Sequence, residues 1–300
     1  MKEKAMPQAP SVKGFFDEAT STITYIVSDP ATKRAAIVDP VLDYDPASGV
    51  ADSHSIDAIL AEAARDGLTI DWALETHAHA DHLSAAQIVK AATGAKIGIG
   101  EHIDKVQKLF KPVFDAQDIK ADGGCFDRRF KDGERFKIGE IDCEVIYTPG
   151  HTPADISYKI GDAVFVGDTL FMPDYGTARA DFPGGDAQAL YRSIRRILEL
   201  PPQTRLFMCH DYKAPGRDVY AWETTVGEER AKNVQIKDGV SEEAFVADRQ
   251  KRDKELAAPR LLLPSIQVNI RAGKFPPPHA DGGRFLTIPV KLKGAAARAG

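Results

Sequence analysis

The segment Glu75-Thr-His-Ala-His-Ala-Asp-His82 puts four metal-competent side chains, His77, His79, Asp81 and His82, within six residues. Residues two apart in an extended chain point the same way, so His77 and His79 can face one cation. Neutral imidazole and carboxylate are the usual ligands of zinc and of non-haem iron. Each residue alone has an ordinary use. Asp81 can serve as a helix N-cap, and an isolated histidine is most often a surface or satisfied core group. The density of the cluster is what constrains the chain, because the fold must bring further ligands to this loop.

Three later segments offer them. Thr148-Pro-Gly-His-Thr152 follows a run in which Ile141, Cys143, Val145 and Tyr147 alternate with Asp142, Glu144 and Ile146, the period of a half-buried strand. The Pro-Gly turn projects His151 from the end of that strand. Gly167-Asp-Thr169 closes the apolar run Ala163–Val166, and Cys209-His-Asp-Tyr212 closes Arg205–Met208. Asp168 and His210 therefore also stand at strand ends. These segments hold five of the eight histidines of the chain, as a site assembled along one edge of a layered sheet structure requires.

The remaining pattern is that of a globular α/β protein. Strands are expected at Thr22–Val27, Ala35–Val38, Ile70–Leu74 and Lys96–Ile99, with Ile156–Ile160 and Ala163–Val166 as a hairpin across Gly161-Asp162. Helices are expected at His54–Arg65, Leu83–Ala92 (opened by Asp81-His82), His102–Phe110 and Ala187–Leu198. A further charged helix capped by Ser241 should run to about Leu256. Asp39-Pro40 closes its strand as a turn. From Pro259 the chain is proline-rich and expected to be irregular, and residues 294–300 to fray. Two units result: a catalytic domain over 1–258 and a C-terminal extension over 259–300 packed on it.

With 300 residues and 43% apolar content, the chain can fill a sizeable core. A net charge of −5 gives no reason to expect nucleic-acid binding. No apolar run reaches the roughly 18 residues of a membrane span, and the N-terminus lacks the apolar stretch of a secretory signal. Three cysteines, Cys125, Cys143 and Cys209, form no metal-type spacing and no disulfide framework, so a reducing cytoplasm is expected. Cys143 should face the core, Cys209 reads as a plain core residue, and His54 and His102 read as helix-surface residues.

H-x-H-x-D-H, a lone His after T-P-G, then G-D-T and a late His resemble the signature of the metallo-β-lactamase superfamily over about Phe15–Tyr212. That resemblance implies an αββα sandwich with the metal site along one sheet edge, here with a short helical and irregular C-terminal extension. Within the superfamily, Tyr175-Gly-Thr-Ala-Arg-Ala-Asp-Phe182 is similar to the G-R-T-D-F segment of the persulfide (sulfur) dioxygenases. His210-Asp-Tyr212 and the stretch Glu223–Asn233 (ETTVGEERAKN) are similar to segments of the same branch. Departures are Ala178 in place of the first glycine, a wider spacing from Asp168, and a longer loop over Asp39–Gly49; they look like a bacterial, β-lactamase hydrolase-like subgroup.

The resemblance implies oxidation of glutathione persulfide by O2 to sulfite and glutathione at one Fe(II) per chain. His77, His151 and Asp168 would be its ligands. His79, Asp81, His82 and His210 would orient ligands and manage protons, and Arg179, Tyr212 and Arg217 would grip the carboxylates of glutathione. For Arg179 the alternative is a structural pair with Asp181. Expected partners are glutathione persulfide and O2, with no nucleic acid and no membrane; a homodimer or higher homo-oligomer is left open. A second reading, a glyoxalase II-like hydrolase of a glutathione thioester, would use all seven residues to hold two metals. A third, a non-catalytic metal- or thiol-binding protein, fits poorly with so complete a ligand set.

Overall fold

The computed structural model describes residues 9–293; the segment 294–300, expected to fray, lies outside them. One six-stranded sheet has the order β1 (Ser11–Asp17), β2 (Thr22–Ser28), β3 (Arg34–Val38), β6 (Thr69–Leu74), β8 (Lys96–Gly100), β9 (Arg128–Phe130). The other has β10 (Arg135–Ile138), β11 (Ile141–Tyr147), β12 (Ile156–Ile160), β13 (Ala163–Phe165), β14 (Arg205–Phe207), β15 (Glu223–Thr225). A small sheet joins β5 (Val50–Asp52), β4 (Val41–Asp45) and β7 (Leu83–Ser84). The helices are α1 (His54–Arg65), α2 (Ala86–Thr93), α3 (Ile103–Phe110), α4 (Ala187–Leu198), α5 (Val226–Lys232), α6 (Glu242–Asp253) and α7 (Leu262–Asn269).

Alternation along the strands divides the interior into three cores. In β3, Ala35 and Ile37 pack against the helices α1, α2 and α3, whereas Ala36 and Val38 face the other sheet. In β13, Phe165 faces the first sheet beside Tyr25, and Val164 turns to α4, where Leu190, Ile194 and Ile197 meet it. Strands buried on both faces read as unbroken apolar runs. Helix, sheet, sheet and helix layers follow, the expected αββα sandwich. The hairpin of β12 and β13 pairs Ile160 with Ala163 across its turn, as its sequence requires.

Two expectations are corrected. The chain after Asp81-His82 does not open a helix: Leu83 and Ser84 pair with Leu42 and Val41 as strand, and α2 starts at Ala86, whose N–H donates to Ser84 Oγ at 3.0 Å. The chain after Pro259 is not irregular throughout either. Leu261, Ile266, Val268, Ile270 and Ala272 sit in the same core as α1 and α2. Pro264 occupies the first turn of α7, where its missing N–H would have no helical partner anyway. The division expected after residue 258 thus runs ahead of a helix that shares the first core; after Gly273 the described residues form neither helix nor strand.

No helix among the described residues is long and apolar enough to cross a membrane. Cys143 is buried as its alternation requires, and all three cysteines are free.

Candidate metal centre

The C-terminal ends of β6, β11, β13 and β14 meet at one edge of the sandwich. They deliver His77, His79, Asp81 and His82, then His151, then Asp168, then His210. The turn carrying His151 packs on α4 only because residue 150 is glycine. Its φ is +154°, and a Cβ there would stand 2.3 Å from the Leu190 Cα. Asp168 follows Gly167, with φ +55°, where a Cβ would lie 2.7 Å from that of Thr76.

Each site histidine has one ring nitrogen engaged. His151 Nδ1 donates to the Arg179 carbonyl at 2.9 Å, and His210 Nδ1 to the Ser21 carbonyl at 3.1 Å. His79 Nε2 donates to Asp39 Oδ1 at 2.9 Å. His82 Nδ1 lies 3.0 Å from Asp81 Oδ2, and His77 Nδ1 3.0 Å from Thr76 Oγ1. The other nitrogens of His77, His79, His82 and His210 are buried without a partner, as is Asp168 Oδ1. Stranding a buried polar atom costs about 1–3 kcal/mol, so five along one edge call for bound partners there. The donor set, imidazole nitrogens and carboxylate oxygens held in place from behind, fits a transition-metal cation.

His77, His151 and Asp168 form one compact group, with ligand atoms within 4.8 Å of one another. His151 Nε2 stands 3.6 Å from Asp168 Oδ2. On the other side, His210 Nε2 lies 3.3 Å from Asp168 Oδ1 and 3.6 Å from Asp81 Oδ2. Asp81 Oδ2 also accepts from Thr22 Oγ1 at 3.0 Å.

Burial, with the neighbouring His79 and His151, pushes His77 well below the ordinary imidazole range and leaves it neutral, as a ligand must be. Burial opposes charge on His79 too, but the Asp39 carboxylate outweighs it and holds His79 well above its usual value. Asp168, Cys209 and Asp81 do the same for His210 against its burial. A bound cation would replace those protons.

Four supporting residues were not foreseen. Asp39, with φ +49°, accepts from Thr76 N–H at 2.7 Å and Thr76 Oγ1 at 2.9 Å besides His79. It ends the apolar strand β3 just as Asp168 follows β13, so the strand-end pattern that marks Asp168 could have marked it too. Glu75 Oε2 lies 3.4 Å from His79 Nε2, and Ser84 Oγ donates to Glu75 Oε1. Asn269 of α7 donates to the carbonyls of His79 and His82, both at 2.8 Å, and accepts from Ser84 N–H at 2.8 Å. Cys209 is core, its thiol 3.7 Å from Asp39 Oδ2.

A cleft of about 400 Å³ opens above Asp81, His151 and Asp168. Phe171, Tyr175 and Tyr212 form one wall, with the two tyrosine rings 5.2 Å apart. Arg179 lines the cleft, but its guanidinium is occupied: Nε and Nη2 donate to Asp181 at 2.6 and 2.8 Å, and Nη1 to the Ala257 carbonyl at 2.7 Å. This is the structural alternative. Arg217 stands outside the lining, clamped by Asp211 and Asp174. The segment holding Arg179 still serves the site, since its backbone orients His151 and Phe182 packs 5.4 Å from that ring.

The metallo-beta-lactamase superfamily profile matches residues 18–210. A beta-lactamase hydrolase-like protein of Xylella fastidiosa is 50% identical over 99% of this chain and 68% of its own length. A protein of Dictyostelium discoideum named Glyoxylase B2 is 45% identical over 95% of this chain and 98% of its own. The mitochondrial persulfide dioxygenase ETHE1 of Bos taurus is 28% identical over 89% of this chain and 90% of its own. Among solved structures, that of ETHE1 from Myxococcus xanthus is 30% identical with a TM-score of 0.70, covering 88% of this chain and all of the other.

Proposed function

This chain belongs to the metallo-β-lactamase superfamily, and from that premise we propose that it is a persulfide dioxygenase holding one Fe(II) between His77, His151 and Asp168. The substrate is glutathione persulfide, oxidised by O2 to sulfite and glutathione. Four electrons pass from the outer sulfur to one O2. Water supplies the third oxygen of sulfite, and a proton returns to the thiol.

The observation that carries this reading is the compact group of two imidazoles and one carboxylate at the floor of the cleft. Fe(II) held by His77, His151 and Asp168 would bring the persulfide and O2 together and would relay electrons from sulfur to oxygen. The chain's own residues do the rest. The Arg179 carbonyl fixes the tautomer and aim of His151, and Asp39 does so for His79. Asp81, His82 and His210, linked to one another and to Thr22 and Ser21, can hold and pass protons beside the reacting sulfur. Phe171, Tyr175 and Leu261 narrow the space above the floor. Tyr212 at the wall offers a hydroxyl to the substrate. The free thiols suit a reducing cytoplasm, where we place the reaction.

A hydrolase acting on a glutathione thioester with two metals is favoured by one observation: His79, Asp81 and His82 form a second compact group of possible ligands, with His210 Nε2 3.6 Å from Asp81 Oδ2. The two readings part on metal content and on oxygen. Anaerobically purified protein should carry about one iron per chain, consume O2 with glutathione persulfide, release sulfite, and turn over S-lactoylglutathione poorly. Two zinc ions per chain with rapid thioester hydrolysis and no O2 uptake would establish the hydrolase instead.

A further inference from the structure

We propose that the outer end of the cleft is a carboxylate subsite made by Arg252 and Arg260, and that the segment 252–261 sets specificity for an acidic substrate tail. The inference rests on the reading that the cleft takes a glutathione-borne substrate, and it names the residues that take its carboxylates.

Four arginines line the cleft. Two are satisfied internally: Arg179 by Asp181 and Ala257, and Arg249, which is buried, by Asp253 and the Thr177 carbonyl. Arg252, at the end of α6, and Arg260, just before α7, are exposed, and among the described residues neither guanidinium has an ion-pair or hydrogen-bond partner, the nearby Asp45 carboxylate feeling the charge of Arg260 without a direct pair. The acids of the lining are Asp81 and Asp168, both at the metal floor. The cleft is therefore anionic at its base, where a cation fits, and cationic at its mouth. On a chain of net charge −5, that local reversal selects an anion entering tail outward.

The segment is also held in place. Arg179 Nη1 fastens the Ala257 carbonyl, and Leu261 is anchored in the first core. Leu256, Ala257 and Pro259, which lie between the two arginines in sequence, add apolar surface to the same lining. All of it lies beyond residue 210, where the superfamily match ends. This wall is thus supplied by a part of the chain after the superfamily match, although the matches to individual relatives, the Bos taurus protein among them, run on through it. Guanidinium pairs a carboxylate through two parallel N–H donors, and two such groups at one mouth suit a thiol whose far end bears carboxylates.

The test is calorimetric binding to metal-loaded protein. The ligands are reduced glutathione, glutathione diethyl ester and coenzyme A; the proteins are wild type, R252Q/R260Q and K254Q. Lys254 belongs to the same segment but not to the cleft lining. The double variant should bind glutathione about ten- to hundredfold more weakly, with metal content and melting temperature unchanged. The ester should bind wild type as weakly as glutathione binds the double variant, and K254Q should stay within about twofold of wild type. Equal binding of glutathione and its ester by wild type would overturn the subsite. So would a loss in K254Q as large as in the double variant. A loss confined to coenzyme A would make it a phosphate site and overturn the carboxylate assignment. Oxygen uptake with glutathione persulfide is followed on the same wild-type preparation. No uptake with charge-selective binding intact removes the dioxygenase reading alone, and uptake without charge selectivity removes the subsite alone.

Discussion

The floor and the rim of the cleft are built in opposite ways. The floor is a set of buried groups at four strand ends, each ring nitrogen backed by a carbonyl, hydroxyl or carboxylate, so that bare atoms are held facing one another. The rim is made by a connection between two helices, exposed, with two guanidiniums in water. Floor residues have no freedom to move without stranding buried polar atoms; rim residues can be exchanged at little structural cost. Chemistry is therefore fixed by the first and substrate choice is adjustable in the second.

The largest effect should come from the floor. His77→Ala or Asp168→Ala should abolish bound metal and lower turnover by at least about a thousandfold, read by elemental analysis beside oxygen uptake. Either variant keeping full metal and near wild-type turnover would remove that residue from the ligand set.

Next is the residue that ties the late chain to the floor. Asn269→Ala leaves two carbonyls and one N–H of the metal-bearing loop without partners. Metal affinity should fall roughly ten- to hundredfold, the usual cost of losing an outer support, measured by chelator competition. An unchanged affinity would mean that the loop holds its shape alone.

A buried carboxyl away from the floor sharpens the contrast. Glu229 has Asn233 Nδ2 as a partner at 2.6 Å while its Oε1 has none, and burial raises its pKa to about 8. The folded protein keeps this proton to about pH 8, whereas the unfolded chain releases it near the ordinary 4.5. Between those values the native state binds more protons, so this contribution to stability falls as pH rises through that window and is flat above it. Glu229→Gln, which mimics the protonated form, should flatten the dependence and stabilise the protein at pH 9 by up to a few kcal/mol. Parallel denaturation curves for both proteins across the window would show Glu229 to be ionised when folded.

The smallest effect is expected at the joint between floor and rim. Arg179→Gln removes the half-exposed Asp181 pair and the hold on Ala257, lowering the melting temperature by roughly 2 °C and changing KM modestly through the loosened wall. A strongly raised KM at an unchanged melting temperature would restore direct substrate contact for Arg179.

The same contrast explains what could be read in the sequence. His77, His151, Asp168 and His210 were legible because each follows an apolar strand within a short motif, and strand period and turn residues are local signals. The segment α7 was not. From Ser265 to Gly273 every residue is buried, so the helix has no polar face and no 3.6-residue period to detect. Asn269 acts on His79 from 190 residues away, and nothing near it in sequence marks that contact. Arg179 and Arg217 look alike as sequence to Arg252 and Arg260; only the positions of Asp181, Asp174 and Asp211 separate cations already paired from cations still available.

The clamp of Asn269 on the loop of His79 and His82 also sets an order of events in the making of the protein. The two ends of that contact leave the ribosome 190 residues apart, about 10–40 s at ordinary rates of synthesis. Throughout that interval the first ligands are outside the exit tunnel but their loop lacks its last support. The loop gains its last support only when α7 docks, so metal capture follows completion of this core instead of seeding it.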